Sequence, residues 1–252
     1  MVVEIIIKRM MIMKHIAWFS AGVSSAVTCK LALQKQPDLE IYYININDQH
    51  PDSLRFLIDC ERWFGKKINL MQHRLHKSVE ECCNAVSFIK GPGGAPCTRL
   101  LKKRVRKEWE KENPGKHTYY WGMDVKERNR ADRIRETMPE YNHSFPLIEQ
   151  GLIKEDSHAM LLKAGIRRPA MYEMGYQNNN CIGCVKGGYS YFNRIRETHP
   201  QVFAARAAME RRIGAHILKD CYLDELDPER GRGLKPIVED CGIMCEIVSN
   251  EL

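Results

Sequence analysis

Cys181 and Cys184 stand in the segment CIGC, two thiols one turn apart with Gly183 between them, so that both can face one centre. A pair so spaced is a zinc half-site, an iron–sulfur half-site or a redox dithiol. A metal centre needs further ligand. Cys97 offers it, following the loop Gly91–Pro96 (GPGGAP) and opening the basic segment CTRLLK. Cys82 and Cys83 form a literal tandem, but they precede that loop and lack the basic motif after it. Cys29 and Cys60 fall in helical patterns and read as core thiols. A last pair, Cys241 and Cys245 in DCGIMCE, has Gly242 beside it, which gives a thiolate the mobility to swing into a site and out again. Four uses stay open for Cys241: nucleophile, metal ligand together with Cys181 and Cys184, redox dithiol with Cys245, or structural cysteine.

A second kind of chemistry is written at Ser20–Ser25, SAGVSS. A loop that leaves a strand and enters a helix presents free backbone N–H groups and the positive end of the helix dipole, and phosphate is the natural occupant. Ala21 keeps bulk low, Gly22 offers backbone freedom, and Ser20, Ser24 and Ser25 bring hydroxyl groups. Small residues at a strand-to-helix turn also serve close packing, so the loop alone decides nothing.

The elements that must position these residues read as alternating strands and helices. His15–Phe19 is a short apolar run entering the loop, and Ala26–Leu33 has helical apolar spacing. Residues 41–46 predict a second strand, 53–64 an amphipathic helix closed by Gly65, and 68–71 a third strand. A basic helix is predicted from Thr98 to about Lys111, a strand at Tyr119–Trp121, an arginine-rich polar segment from Gly122, and a helix over 201–213. The alternation predicts an α/β fold with a parallel twisted sheet and helices on both faces, followed by an irregular, cysteine-containing C-terminal tail.

In this order the segments resemble the PP-loop superfamily of adenine nucleotide α-hydrolase-like proteins, and within it the phosphoadenylyl-sulfate reductase family. SAGVSS is similar to that superfamily's SGGxDS loop, and NDQHPDSLRFL to its second-strand loop and helix. GMDVKERNRADR is similar to its Gly-x-Arg-x-x-Glu-x-x-Arg segment, with Asp124 where arginine is usual. FPLIEQ and GIRRPAMYEMGYQNNNCIGC resemble its approach to a cysteine pair. The resemblance implies an adenine nucleotide held by Ser20, Ala21, Gly22, Ser24, Ser25, Asp48, Glu127 and Arg130. It also implies a metal centre at Cys97, Cys181 and Cys184, either a 4Fe–4S cluster or zinc. Pro96 stands where the iron–sulfur adenylyl-sulfate reductases carry the first cysteine of a tandem, which leaves a fourth ligand open. Ser24 stands where ATP-cleaving members carry aspartate, which weakens magnesium holding and tilts the expected substrate toward adenylyl sulfate or its 3′-phosphate. Asp240, Cys241, Gly242 and Ile243 resemble the reductases' terminal Glu-Cys-Gly-Leu-His motif, with Met244 in place of histidine; in that family this cysteine attacks the sulfate and a thioredoxin-like or small thiol resolves it. An ATP-dependent sulfur transferase acting on tRNA or DNA, and a non-catalytic nucleotide-binding module with a structural metal, are the competing expectations.

Composition excludes little beyond disorder: 44% hydrophobic and 28% charged residues are ordinary for a globular chain. A net charge of +7 suits a polyanionic partner. Lys102, Lys103, Arg104, Arg106 and Lys107, with Arg128, Arg130, Arg133 and Arg135, offer two basic clusters that could track nucleic acid if they shared a face. No run of about 18 apolar residues appears, so no membrane partner is expected. Ten cysteines without a signal peptide point to a reducing, cytoplasmic setting. The expected organisation is an extension over 1–13, a nucleotide-binding domain over 14–215 that includes the metal-binding cysteines, and a tail over 216–252.

Overall fold

The computed structural model describes residues 13–233, and Cys241 and Cys245 lie outside them. In chain order the elements are β1 (His15–Phe19), α1 (Val23–Lys35), β2 (Glu40–Ile44), α2 (Asp52–Phe64), β3 (Ile68–Met71), α3 (Val79–Val86), a π-helical stretch (Thr98–Arg104) and α4 (Val105–Glu112). There follow β4 (Thr118–Tyr120), a 3₁₀ turn (Val125–Glu127), α5 (Arg128–Thr137), β5 (Asn142–Ser144), α6 (Pro146–Glu149), α7 (Lys154–Lys163), α8 (Ala170–Glu173), α9 (Tyr189–Thr198) and α10 (Pro200–Ile213). Among the described residues no helix is long and apolar enough to cross a membrane.

These elements form two compact units. The first comprises residues 13–44, 51–71 and 105–169, and the second 45–50, 72–104 and 170–233.

The first unit is an α/β layer structure around a five-stranded sheet in the order β3-β2-β1-β4-β5, parallel at every pairing. β1 sits at its centre, and Ile16, Ala17, Trp18 and Phe19 are all buried. Successive side chains of a strand point to opposite faces, so a run buried at every position requires cover on both faces. α1 is apolar or small nearly all round, burying Val23 through Cys29, Leu31 and Ala32, and packs against β1, α2, α6 and α7. Gly65 ends α2 in the left-handed conformation, as expected from its place after Phe64. Cys29 and Cys60 are core thiols here, 1% and 0% exposed, and burial raises the pKa of both far above that of an ordinary thiol.

The chain runs outward from β1 in both directions: β2 and β3 lie on one side, β4 and β5 on the other. The gap between β1 and β4 is therefore the topological switch point, the place where ligands bind at the carboxyl ends of strands in open parallel sheets. Ser20–Ser25 leaves β1 there, and Trp121–Glu127 leaves β4.

The second unit is built on a contiguous apolar core that includes Val79, Leu101, Met171, Phe192, Ile195 and Met209. α3 has a side-chain cap, Ser78 accepting a hydrogen bond from Glu81 N at 3.2 Å. Part of the segment expected as tail belongs to this core. Ile217, Leu218, Leu223 and Leu226 are buried in it, and the fully buried Glu210 accepts hydrogen bonds from the backbone N–H groups of Ile217 and Leu223. Burial raises the pKa of that carboxyl above its usual range, although the two N–H donors pull it down.

Candidate functional site

In the first unit the loop Ser20–Ser25 is braced from within. Ser25 Oγ donates to Gly22 O at 2.9 Å, and Ser20 N and Ser20 Oγ donate to Ser25 Oγ at 3.2 and 3.0 Å. Ser25 thus fixes the loop's shape. No side chain caps α1, whose N-terminal cap residue is Gly22. The residue with the left-handed backbone is Ala21, at φ +56°, while Gly22 is extended at φ −97° and ψ 161°. An L residue in that region costs roughly 1–2 kcal/mol, and alanine's single methyl keeps the clash small; the SGGxDS pattern has glycine at this position. Gly22, singled out in the sequence for backbone freedom, uses none.

Gly122, on the exit from β4, closes the other side of the loop. A Cβ at Gly122 would stand 2.8 Å from Ser25 Cα and 2.9 Å from Ser25 N, so only glycine allows the two backbones to approach. Beyond it the buried Asp124 caps the 3₁₀ turn, accepting from Lys126 N at 2.8 Å, while Glu127 Oε2 accepts from Asp124 N at 3.3 Å. This gives a physical reason for Asp124 at a position where the resembling pattern has arginine: it starts the turn that carries Glu127. Glu127 also pairs with Arg130, whose Nε is buried without a hydrogen-bond partner. The structure therefore brings together Ser20, Ala21, Gly22, Ser24, Ser25 and the Gly122–Arg130 segment within one unit.

Asp48 belongs to the second unit, and its groups are taken up there. Asp48 Oδ2 accepts from Val79 N at 2.7 Å at the start of α3, Asp48 Oδ1 is paired with Arg206, and Asp48 O accepts from Ile182 N at 2.8 Å. Arg206 is 3% exposed, and its Nε donates to Gly183 O at 2.9 Å. Burial disfavours its charge, but the Asp48 carboxylate more than offsets that and the guanidinium stays firmly protonated. Asp48 and Arg206 thus clamp the CIGC loop from one side. Tyr191 braces it from within: its hydroxyl accepts from Cys184 N at 3.0 Å and donates to Cys181 O at 3.1 Å. Burial pushes the Tyr191 pKa well up, so the phenol is neutral. Gly183 takes φ +67°, and a Cβ there would lie 2.7 Å from Val202 Cγ1.

Cys97, Cys181 and Cys184 line one small pocket, together with Ile46, Val79, Val185, Thr98 and Lys102. The three thiols are nearly buried, at 8%, 6% and 4% exposure. Among the described residues no three His, Cys, Asp or Glu side chains converge closely enough to hold a single metal ion. Cys82 and Cys83 are fully buried in the surrounding core, and burial raises their thiols to about 12 and about 11, which keeps them protonated.

Sequence reasoning missed Arg206, Tyr191 and Thr98. Arg206 stands in an alanine- and arginine-rich helix with nothing local to distinguish it, and Tyr191 is one of several aromatics after the cysteine pair. Of the basic clusters, Arg106 is buried and paired with Glu110 at 3.1 Å, and Arg135 is paired with Asp132 at 2.6 Å.

Tyr191→Phe tests the internal brace. It removes one oxygen and leaves a buried N–H and a buried C=O unpaired, so stability falls by about 1–3 kcal/mol. Urea denaturation of the metal-free protein reads this, and Cys181 and Cys184 become faster targets for a thiol reagent. An unchanged midpoint with unchanged thiol reactivity would remove the brace.

A scan of the chain against protein-family models finds no match, and a search of the curated proteins finds none either.

Proposed function

We propose that the protein is a sulfonucleotide reductase-like enzyme that binds adenylyl sulfate or phosphoadenylyl sulfate at Ser20–Ser25 and reduces the sulfate through Cys241. The observation that carries this is the pocket shared by Cys97, Cys181 and Cys184, far apart in sequence as Cys97 is from the pair. The phosphate loop at the switch point supports the nucleotide half. These cysteines suit an iron–sulfur centre: three thiols line one pocket whose other lining includes the apolar Ile46, Val79 and Val185. Zinc is the alternative if Cys241 and Cys245 join them. When bound, the centre supplies a Lewis-acidic metal that polarises a nearby oxygen or sulfur.

The chain's own residues divide the remaining work. Backbone N–H groups at the start of α1 hold phosphate oxygens, and Arg130 offers a planar pair of donors to an anion. The Cys241 thiolate attacks the sulfate sulfur, an S–S bond forms, the S–O bond to the nucleotide phosphate breaks, and the adenosine phosphate leaves with that electron pair. A thiol of thioredoxin type, or a small thiol, then attacks Cys241 Sγ. Sulfite departs with the S–S electrons and a disulfide remains, which a second thiol equivalent reduces.

The test is anaerobic purification with iron, sulfide and zinc analysis, followed by sulfite release from each nucleotide with a thiol reductant. Iron with sulfide, and sulfite release lost in Cys241→Ser, is the expected result. Fully loaded protein that releases no sulfite from either nucleotide overturns the reductase reading. One observation favours a second reading: among the described residues no fourth cysteine lines the pocket, which suits an open metal position in an ATP-dependent sulfur transferase acting on tRNA or DNA. Formation of adenylate or pyrophosphate in the presence of RNA or DNA would establish that reading. Cys241→Ser with every activity intact would leave the non-catalytic module.

A further inference from the structure

Six residues, Asn45–His50, follow β2, belong to the second unit, and hand the chain back at Pro51, where the first unit resumes. Ile46 N donates to Gln49 Oε1 and Gln49 N to Ile46 O, both at 3.0 Å, which closes a tight turn. Asn47 N donates to Lys77 O at 2.9 Å, and Asp48 Oδ2 accepts from Val79 N. The same turn meets the cysteine loop in three ways: Ile46 lines the cysteine pocket, Asp48 O accepts from Ile182 N inside CIGC, and Asp48 Oδ1 is paired with Arg206, which donates to Gly183 O.

Both ends of the segment run into the elements that carry Ser20–Ser25. β2 is paired with β1 as far as Phe19↔Tyr43, and the loop starts at the residue after Phe19. α2 stacks the Phe56 ring on Phe19, with centroids 6.2 Å apart, and packs against α1. A slack linker would absorb a displacement, whereas a segment hydrogen-bonded from Ile46 through Gln49 passes it on. We propose that residues 45–50 couple the CIGC loop to the nucleotide, Asp48 being either attached to Ile182 and, through Arg206, to Gly183, or released from them. The proposal rests on the nucleotide reading above. A ligand shifts such an equilibrium only as far as it prefers one state, and the preference acts both ways: nucleotide at Ser20–Ser25 favours the attached state, and a loosened CIGC loop weakens the nucleotide.

Hydrogen exchange of the protein as purified reads the attachment directly, without nucleotide and at saturation with the tighter-binding of adenylyl sulfate and phosphoadenylyl sulfate. The amides of Asn47, Val79 and Ile182 are expected to slow about tenfold, while those of Ile217 and Leu223, bonded to Glu210 in the same unit, keep their rates. Tyr191→Phe loosens the CIGC loop at Cys181 and Cys184 rather than at Asp48, and in calorimetric titration of the folded variant the nucleotide binds roughly fivefold more weakly. The exchange arm needs no variant, so it decides even where Tyr191→Phe fails to fold. Nucleotide that binds wild type and leaves the three amides at their free rates overturns the coupling and leaves the nucleotide reading standing. Slowing that extends equally to Ile217 and Leu223 is general stabilisation by ligand and overturns it too, as does a folded Tyr191→Phe protein with wild-type affinity. Wild-type protein that binds neither nucleotide overturns both.

Discussion

Arg206→Met is expected to destabilise the second unit by about 3–5 kcal/mol and to loosen the CIGC loop. The change keeps an unbranched side chain of useful volume and removes the charge, which strands the Asp48 carboxylate, a side chain only 10% exposed. Asp48 would keep the N–H of Val79 as a partner, and Gly183 O would lose its donor. Breaking a buried pair from one side costs more than the pair is worth, because the remaining charge is left buried without a counter-charge. The double variant Arg206→Met with Asp48→Asn should therefore recover much of the loss, since the asparagine oxygen still accepts from Val79 N and no ion is left behind. Urea denaturation of wild type, Arg206→Met, Asp48→Asn and the double variant gives the coupling energy. Hydrogen exchange at 181–191 shows whether the loop opens. A single variant as stable as wild type, or a double variant worse than the sum of its parts, would remove the clamp.

The ease of reading this chain followed from how local each structural cause was. β1 and β3 were legible to the residue, because a buried central strand is an apolar run and Ile68–Met71 sits between a glycine-closed helix and a polar loop. α2 was legible from its one-sided apolar spacing and from Gly65. β5 was not. Asn142, His143 and Ser144 are polar, lie at the sheet's edge and hydrogen-bond to β4 alone, so they show no period and no apolar run. α3 had a signal that was passed over: Ser78 followed by Glu81 is the start of a capping box, and Glu81 Oε2 accepts from Lys77 N at 2.6 Å.

The candidate site divides the same way. The small-residue loop Ser20–Ser25 and the pair Cys181 and Cys184 stand out as candidates by residue type and spacing, and Cys97 by the loop and basic segment that flank it. Asp48 was read through the resemblance as a nucleotide contact, whereas its carboxylate is engaged by Val79 N and by Arg206, which stands on a helix far along the chain with no local pattern to connect the two. Ala21 shows a different limit. Glycine beside a phosphate loop invites the reading that it supplies the unusual backbone angle, yet the angle falls one residue earlier, which spacing alone cannot locate.

Gly122→Ala carries the largest expected loss in nucleotide binding. The added Cβ would overlap Ser25 Cα at 2.8 Å and Ser25 N at 2.9 Å, and both are backbone atoms that cannot rotate away. Either the loop shifts or β4's exit does. Ser25 Oγ holds Gly22 O and receives both Ser20 groups, so a shift of Ser25 carries the loop's whole internal bracing with it. Overpacking of this kind costs about 1–3 kcal/mol, and if the loop bears it in the bound state the nucleotide affinity falls roughly 10- to 100-fold. Calorimetric titration with adenylyl sulfate and phosphoadenylyl sulfate measures that loss. The cysteines belong to the other compact unit, so iron, sulfide or zinc content should stay at the wild-type level. Unchanged affinity with a folded protein would show that the backbone approach of Gly122 and Ser25 serves packing alone, and would move the nucleotide away from this loop.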